Sequence, residues 1–334
     1  MNGKEMFWAV FNGEDTEYYG DIRESMAMGP NPVTARDAAK PDGKKYIDSW
    51  GVTFVWPQGA PGKHPLITDE NKAITDITKW KSQLVVPSAL GLDWSAAEDW
   101  ERTVNRDEKF VYYFFPAGLF ERTHFLMGME DAFCAYLEEP EAMYELLTVI
   151  KDFRIDAIKE AAVHIHPEVI FSQDDWGNKT NLFLPPDVWR EMIKPLQQEI
   201  VDVTHEIGAM YFHHADCVCD VICEDMVDLG IDLWQGVIPQ NDIVGVQQRT
   251  EHKLALVGGI DVPAIDNDLV TDDDIRAEAR RCIDTYCPGG RFFPQATPFP
   301  FNDHRKQVLL EEMKNYGYEW AQKHPIDPST GLPS

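Results

Sequence analysis

The sequence predicts an α/β fold: a (β/α)8 TIM barrel with an irregular N-terminal elaboration. Three observations carry this reading. From about residue 108, short β-rich runs alternate with helical stretches, the pattern of a parallel sheet covered by helices. The number of these units suits a closed barrel, and no GxGxxG turn marks a dinucleotide-binding sheet. The length, 334 residues, suits one such barrel with an addition.

Local signals give the elements in order. Residues 1–107 are broken by Pro30, Pro32, Pro57, Pro61 and Pro65 and by Gly51, Gly59 and Gly62. Their apolar runs at 51–56 and 83–87 are strand candidates. This segment is expected to form a lid packed on the barrel, within a single structural domain whose main body spans 108–325. Residues 110–115 (FVYYFF) make the first clear strand, stopped by Pro116 and Gly118. Helices are expected at 121–137 and 141–163, the second opened by Pro140. A strand at 169–172 follows, then a helix at 186–207 that Pro195 kinks or divides. Next come a strand at 210–213 and a helix at 218–229 ended by Gly230. Strands at 232–234, 254–257 and 291–293 complete the series, with helices at 245–250, 272–286 and 303–322.

Composition bounds the setting. There is no apolar run of about 18 residues, so no transmembrane helix is expected. Residues 1–15 mix Lys4, Glu5 and Glu14 with aromatics, unlike a signal peptide. Cys134, Cys217, Cys219, Cys223, Cys282 and Cys287 are sparse and poorly spaced for a stapled domain, which points to a reducing cytoplasm. The formal charge of −27 speaks against nucleic acid, which needs a basic footprint. It also disfavours a polyanionic substrate unless local arginines override the field.

In barrels of this kind, function gathers after the strands. The sharpest cluster is His213-His214-Ala215-Asp216-Cys217-Val218-Cys219, which mixes the imidazole, carboxylate and thiol that zinc accepts. His214 and Asp216 share one side of an extended strand end, and His213 faces the helices. His214, Asp216 and Cys219 are therefore candidate metal ligands. Alternatively, Asp216 caps the next helix and the cysteines are buried apolar residues. Of Asp174 and Asp175, one can serve acid–base chemistry or orient substrate while the other caps a turn. Asp261 follows two glycines that permit close approach of a ligand. Gln295 ends the last strand. Tyr112, Phe114, Trp176 and Trp234 are candidates for a flat apolar pocket, with Phe299 and Phe301 nearby, unless they are core.

These segments also resemble a known family. Residues 116–140 (PAGLFERTHFLMGMEDAFCAYLEEP), 172–195 (SQDDWGNKTNLFLPPDVWREMIKP), 254–261 (LALVGGID) and 289–294 are similar, in order and spacing, to the uroporphyrinogen decarboxylase superfamily. Residues 214–230 resemble the H-x-C-x13-G unit of its corrinoid-dependent methyltransferase branch, including the O-demethylase methyltransferases of anaerobic metabolism. The arginine-rich segment that binds propionates in the decarboxylases is missing, for only Arg23 and Arg36 occur in the first hundred residues. The thiol-activating members bind zinc through H-x-C and a distant cysteine. Here Asp216 replaces the first cysteine, and residues 294–298 (PQATP) contain none. That leaves a harder oxygen–nitrogen site or no metal. The resemblance implies transfer of a methyl group from a small methylated compound, foremost a methoxylated aromatic, to the cobalt of a corrinoid (cobalamin) protein. Asp174, Asp175, His214 and Asp216 would carry the chemistry. The alternatives are a cofactor-free decarboxylase of a smaller substrate and a non-catalytic ligand-binding barrel. The fold is compatible with a homodimer.

Overall fold

The computed structural model describes residues 1–60, 62–299 and 302–334. Seven parallel strands form the central sheet, in chain order: β1 (Met26–Met28), β2 (Phe110–Phe115), β3 (Val169–Gln173), β4 (Met210–His214), β5 (Leu233–Val237), β6 (Ala255–Gly259) and β7 (Phe292–Gln295). Each strand hydrogen-bonds to its neighbour in sequence, as successive β-α units require. Among the described residues the ladder is open between β1 and β7, so the expected eight-stranded closed barrel is here a curled seven-stranded sheet.

Its curl can be read from one side chain. Phe7 lies on helix α1 (Gly3–Asn12), and its ring centroid is 5.1 Å from Phe110 of β2, 5.8 Å from Phe212 of β4 and 5.2 Å from Phe293 of β7. In a flat sheet β2 and β7 would be about 24 Å apart at ~4.8 Å per strand. Only a sheet rolled on itself brings both against one ring. α1 therefore plugs the end of the roll where the strands begin.

Strand alternation then sorts the side chains. In FVYYFF, Tyr112 and Phe114 face inward and stay partly exposed, whereas Tyr113 and Phe115 are buried under the helices. The helices that matter most to the site are α2 (Leu119–Met127), α3 (Pro140–Ile165) and α4 (Lys194–Glu206). The expected helix at 121–137 is two helices, because Gly128 interrupts it before a second segment, Met129–Glu138. Residues 186–207 also divide, into Pro186–Met192 and α4, with Pro195 in the first turn of α4.

Two N-terminal expectations change. β1 comes from the irregular first hundred residues and pairs Met26 with Phe110. The run at 83–87 is not a strand: Trp80–Gln83 is helical, and Gln83 Oε1 instead accepts from the backbone of Thr75 and Asp76. The run at 51–56 does contain a strand, Thr53–Val55, in a small antiparallel sheet with Lys45–Ile47 and His64–Pro65. That sheet sits on α2 through Phe54 against Phe125 and an Asp48–Arg122 ion pair of 3.0 Å. No helix among the described residues is long and apolar enough to cross a membrane.

Candidate functional site

The site forms where β3, β4 and β5 end together. Register aligns Gln173 with His214 and His214 with Gln235, so three polar side chains stand side by side at the rim. Just beyond this alignment, the pairing of β5 with β6 shifts register between Gln235 and Val237, at Gly236, where φ is 94° and a Cβ would lie 3.0 Å from the Ala215 carbonyl oxygen. Alternation turns His213 outward. It is buried and stacked on Trp176 at 3.9 Å, and neither ring nitrogen has a well-formed hydrogen bond.

Asp175, His214 and Asp216 converge, each offering one ligand atom, with all three atoms within 4.8 Å of one another. Asp175 Oδ1 accepts from the Asp216 backbone N–H at 2.9 Å, which fixes the two carboxylate segments against each other. Burial pushes the Asp175 carboxyl above its ordinary range; the His214 ring opposes that shift and the Asp216 charge adds to it. Lys179 pairs with Asp216 at 3.2 Å from the rim. Gln235 Oε1 is bonded to His214 Nδ1. An amide oxygen only accepts, so Nδ1 carries the proton and Nε2 keeps its lone pair. One imidazole nitrogen and two crowded carboxylates make a fitting donor set for a divalent cation with a taste for nitrogen and oxygen, zinc included.

Beside this cluster opens a cavity of about 250 Å³. Its walls are mostly apolar and aromatic, from Tyr112, Phe171 and Phe299, with Gln235, Gln295 and Thr297 on one side and Arg23 at the edge. Phe171 lies 6.0 Å from the His214 ring and 5.9 Å from Tyr112, and Gln235 touches both cavity and imidazole, so cavity and cluster are one site. Arg23 Cζ lies over the Phe299 ring, 3.6 Å from its centroid, and Arg23 pairs with Asp21.

The structure separates the sequence candidates. His214, Asp216 and Asp175 meet, and Tyr112 and Gln295 line the cavity. Asp174 does not join them. Buried beneath the site, it accepts from the backbone N–H groups of Phe120 and Glu121 and from Trp176 Nε1, and so caps α2. Burial pushes its pKa up to about 6 despite those three donors. Cys219 is replaced by Asp175 as third member of the ligand group. It is fully buried, burial and Cys217 hold its thiol well above the usual range, and its sulfur is not part of the converging group. Trp176 and Trp234 are core: the first holds Asp174, and the second donates to the Ala215 carbonyl at 2.9 Å. Phe114 lines a different cavity, near Met28 and Asn31. Asp261 caps the short helix Val262–Ile265. Phe301 lies outside the described residues.

Other site groups escaped the sequence reading. Phe171 and Arg23 are among them. Strand alternation could have found the first, which lies two residues from another inward side chain. Glu121 is a further case. Burial, then the charges of Asp175 and Asp174, push its carboxyl well above its ordinary range, and its Oε2 has no partner among the described residues.

Comparison with known proteins agrees with this architecture. The uroporphyrinogen decarboxylase (URO-D) family pattern matches residues 118–293, just over half of the chain. The chain belongs to the uroporphyrinogen decarboxylase family. A solved methyltransferase from Methanosarcina mazei superposes with a TM-score of 0.67 at 14% identity, covering 95% of this chain and 99% of that one. The YdjI aldolase from Escherichia coli K12 gives a TM-score of 0.22 at 16% identity, over 70% of this chain and 98% of the other. No curated protein sequence matches.

Proposed function

We propose that the protein is a corrinoid-dependent methyltransferase, the demethylating component that takes a methyl group from a methoxylated aromatic. The observation that carries this reading is the Asp175–His214–Asp216 cluster beside an aromatic cavity of about 250 Å³, joined to it through Gln235, which lines the cavity and bonds His214. The similarity in fold to a methyltransferase supports it, as does the lack of an arginine cluster for a polycarboxylate: of the cavity-lining residues only Arg23 is cationic, and it is paired with Asp21.

The chemistry follows from the leaving group. An aryl ether parts with its methyl only if the oxygen is protonated or polarised as the carbon–oxygen bond breaks. When bound, the corrinoid on its carrier protein supplies the nucleophile for the methyl carbon, and a divalent cation in the cluster supplies Lewis acidity at the ether oxygen. Asp175, Asp216 and His214 Nε2 would hold that cation. Tyr112, Phe171 and Phe299 sandwich the ring and exclude water, which strengthens every charge interaction within. Glu121 stands beside Asp175 with its carboxyl pushed well above its ordinary range by burial and then by the charges of Asp175 and Asp174. The open end of the cavity is where the carrier protein docks.

The test is anaerobic. Purified protein is mixed with chemically reduced cob(I)alamin, or a reduced corrinoid protein, and with methoxylated aromatics, methylamines or methanol. Absorbance then follows formation of methylcobalamin. Methylation from the aromatic ethers alone is expected, and His214→Ala should slow it by about 100-fold or more while the protein stays folded by circular dichroism. Carbon dioxide release from a carboxylated substrate without cobalt would replace this reading with a decarboxylase.

A further inference from the structure

We propose that Asp21 is a positioning residue that sets the tautomer of His214 from three residues away, through a one-way file of amides. The file begins at a group that can only accept. Asp21 takes the backbone N–H of Arg23 at 2.9 Å, Arg23 Nε at 2.8 Å and Gln295 Nε2 at 2.8 Å, so every partner of its carboxylate is a donor. Gln295 must therefore turn its NH2 toward Asp21, which leaves its Oε1 facing Gln235. Gln235 Nε2 meets that oxygen at 2.6 Å and the Thr297 hydroxyl at 2.9 Å. With its NH2 held by two acceptors, Gln235 presents Oε1 to His214 Nδ1. Reversing Gln295 would set NH2 against NH2 and an amide oxygen against the Asp21 carboxylate, and reversing Gln235 would set amide oxygen against amide oxygen.

Burial makes the order binding. Asp21, Gln235 and Gln295 are all buried, so each hydrogen bond of the file is strong and a mismatched pair is costly. The file also crosses the open edge of the sheet, since Asp21 precedes β1 and Gln295 ends β7. The charge at the seam thus reaches the imidazole at the centre of the rim. His214 is kept with its proton on Nδ1 and its lone pair on Nε2, ready to ligate a cation or accept a proton. The value of this arrangement to catalysis rests on the proposed role of His214, but the tautomer does not.

The experiment reads the tautomer directly. Protein labelled with ¹⁵N-histidine, free of metal, is studied by NMR, and the His214 signals are assigned by their loss in His214→Gln. The wild-type ring should show a protonated Nδ1 and an unprotonated Nε2. Asp21→Leu should shift a substantial population to the opposite tautomer and weaken Zn²⁺ binding by about tenfold. Adding Gln295→Glu to Asp21→Leu places an acceptor-only carboxylate beside Gln235 and should restore both readings. Should Asp21→Leu not fold, Gln235→Leu removes the last link and should release the tautomer in the same way. A ring that keeps its Nδ1 proton in Asp21→Leu or in Gln235→Leu would overturn the proposal, as would a wild-type ring protonated on Nε2. No substrate or corrinoid is present, so a failure of methyl transfer leaves this result untouched, and the converse holds.

Discussion

His213 and His214 are adjacent, yet their surroundings give them different tasks. His213 is sealed against Trp176, and burial lowers its pKa to about 3. In the unfolded chain a histidine titrates near 6.5, so between about pH 6.5 and 3 the unfolded state binds a proton that the folded state refuses. The stability due to neutral His213 is present above pH 6.5 and is lost as the pH falls toward 3. At pH 5 this amounts to about 2 kcal/mol. His213→Phe keeps a ring for Trp176 and removes the titrating group. Urea denaturation at pH 7.5 and pH 5 should therefore show the variant gaining about 2 kcal/mol on the wild type between the two conditions. A constant difference would mean that His213 is not held neutral. The cluster on the other side of the strand gives a separate test by calorimetry with Zn²⁺. Asp175→Asn and His214→Gln should each weaken binding at least about tenfold, and Cys219→Ser should leave it unchanged.

At the scale of elements, the site depends on the junction of β2, β3 and α2. Gly118 provides no side chain to cap α2, and Asp174 does so from the end of β3. The two can meet only because Gly118 lacks a Cβ, which would lie 2.2 Å from Asp174 Cβ. Gly118→Ala should cost about 1–3 kcal/mol in denaturant titration, as overpacking does. It should also weaken Zn²⁺ binding, because Asp175 is the next residue along. Full stability and unchanged affinity together would show that the junction is not strained. The same junction shows where sequence reasoning stops. Strand Phe110–Phe115 was legible from its β-rich run and sharp Pro–Gly stop, and the helix expected at 272–286 is found at Asp272–Tyr286. His214 and Asp216 could be paired from a spacing of two. Asp174 and Asp175 could not be told apart, since their difference depends on a helix fifty residues earlier. β1 was hidden because three residues without a pattern become a strand only through pairing with β2. Cys219 had the right chemistry for a ligand but lay on the buried side, which spacing alone does not reveal.

At the scale of the molecule, the rim is positioned by the opposite end of the roll. The strands converge on Phe7, which is fully buried and touches β2, β4 and β7 through Phe110, Phe212 and Phe293. Because the ladder between β1 and β7 is open among the described residues, side chains hold the curl there. Phe7 does so below, and the Asp21–Gln295 bond of 2.8 Å does so above. Phe7→Ala would remove the lower contact and leave a cavity among three rings, at a cost of about 3–5 kcal/mol. Phe7→Leu would refill most of the space and should cost less than half of that. If the curl also sets the rim, then Phe7→Ala, measured well below its melting temperature, should weaken Zn²⁺ binding at a cluster on the other end of the strands, and Phe7→Leu should largely restore it. A variant that loses stability but keeps wild-type affinity would show that the rim is held by its own hydrogen bonds, with the plug serving stability alone.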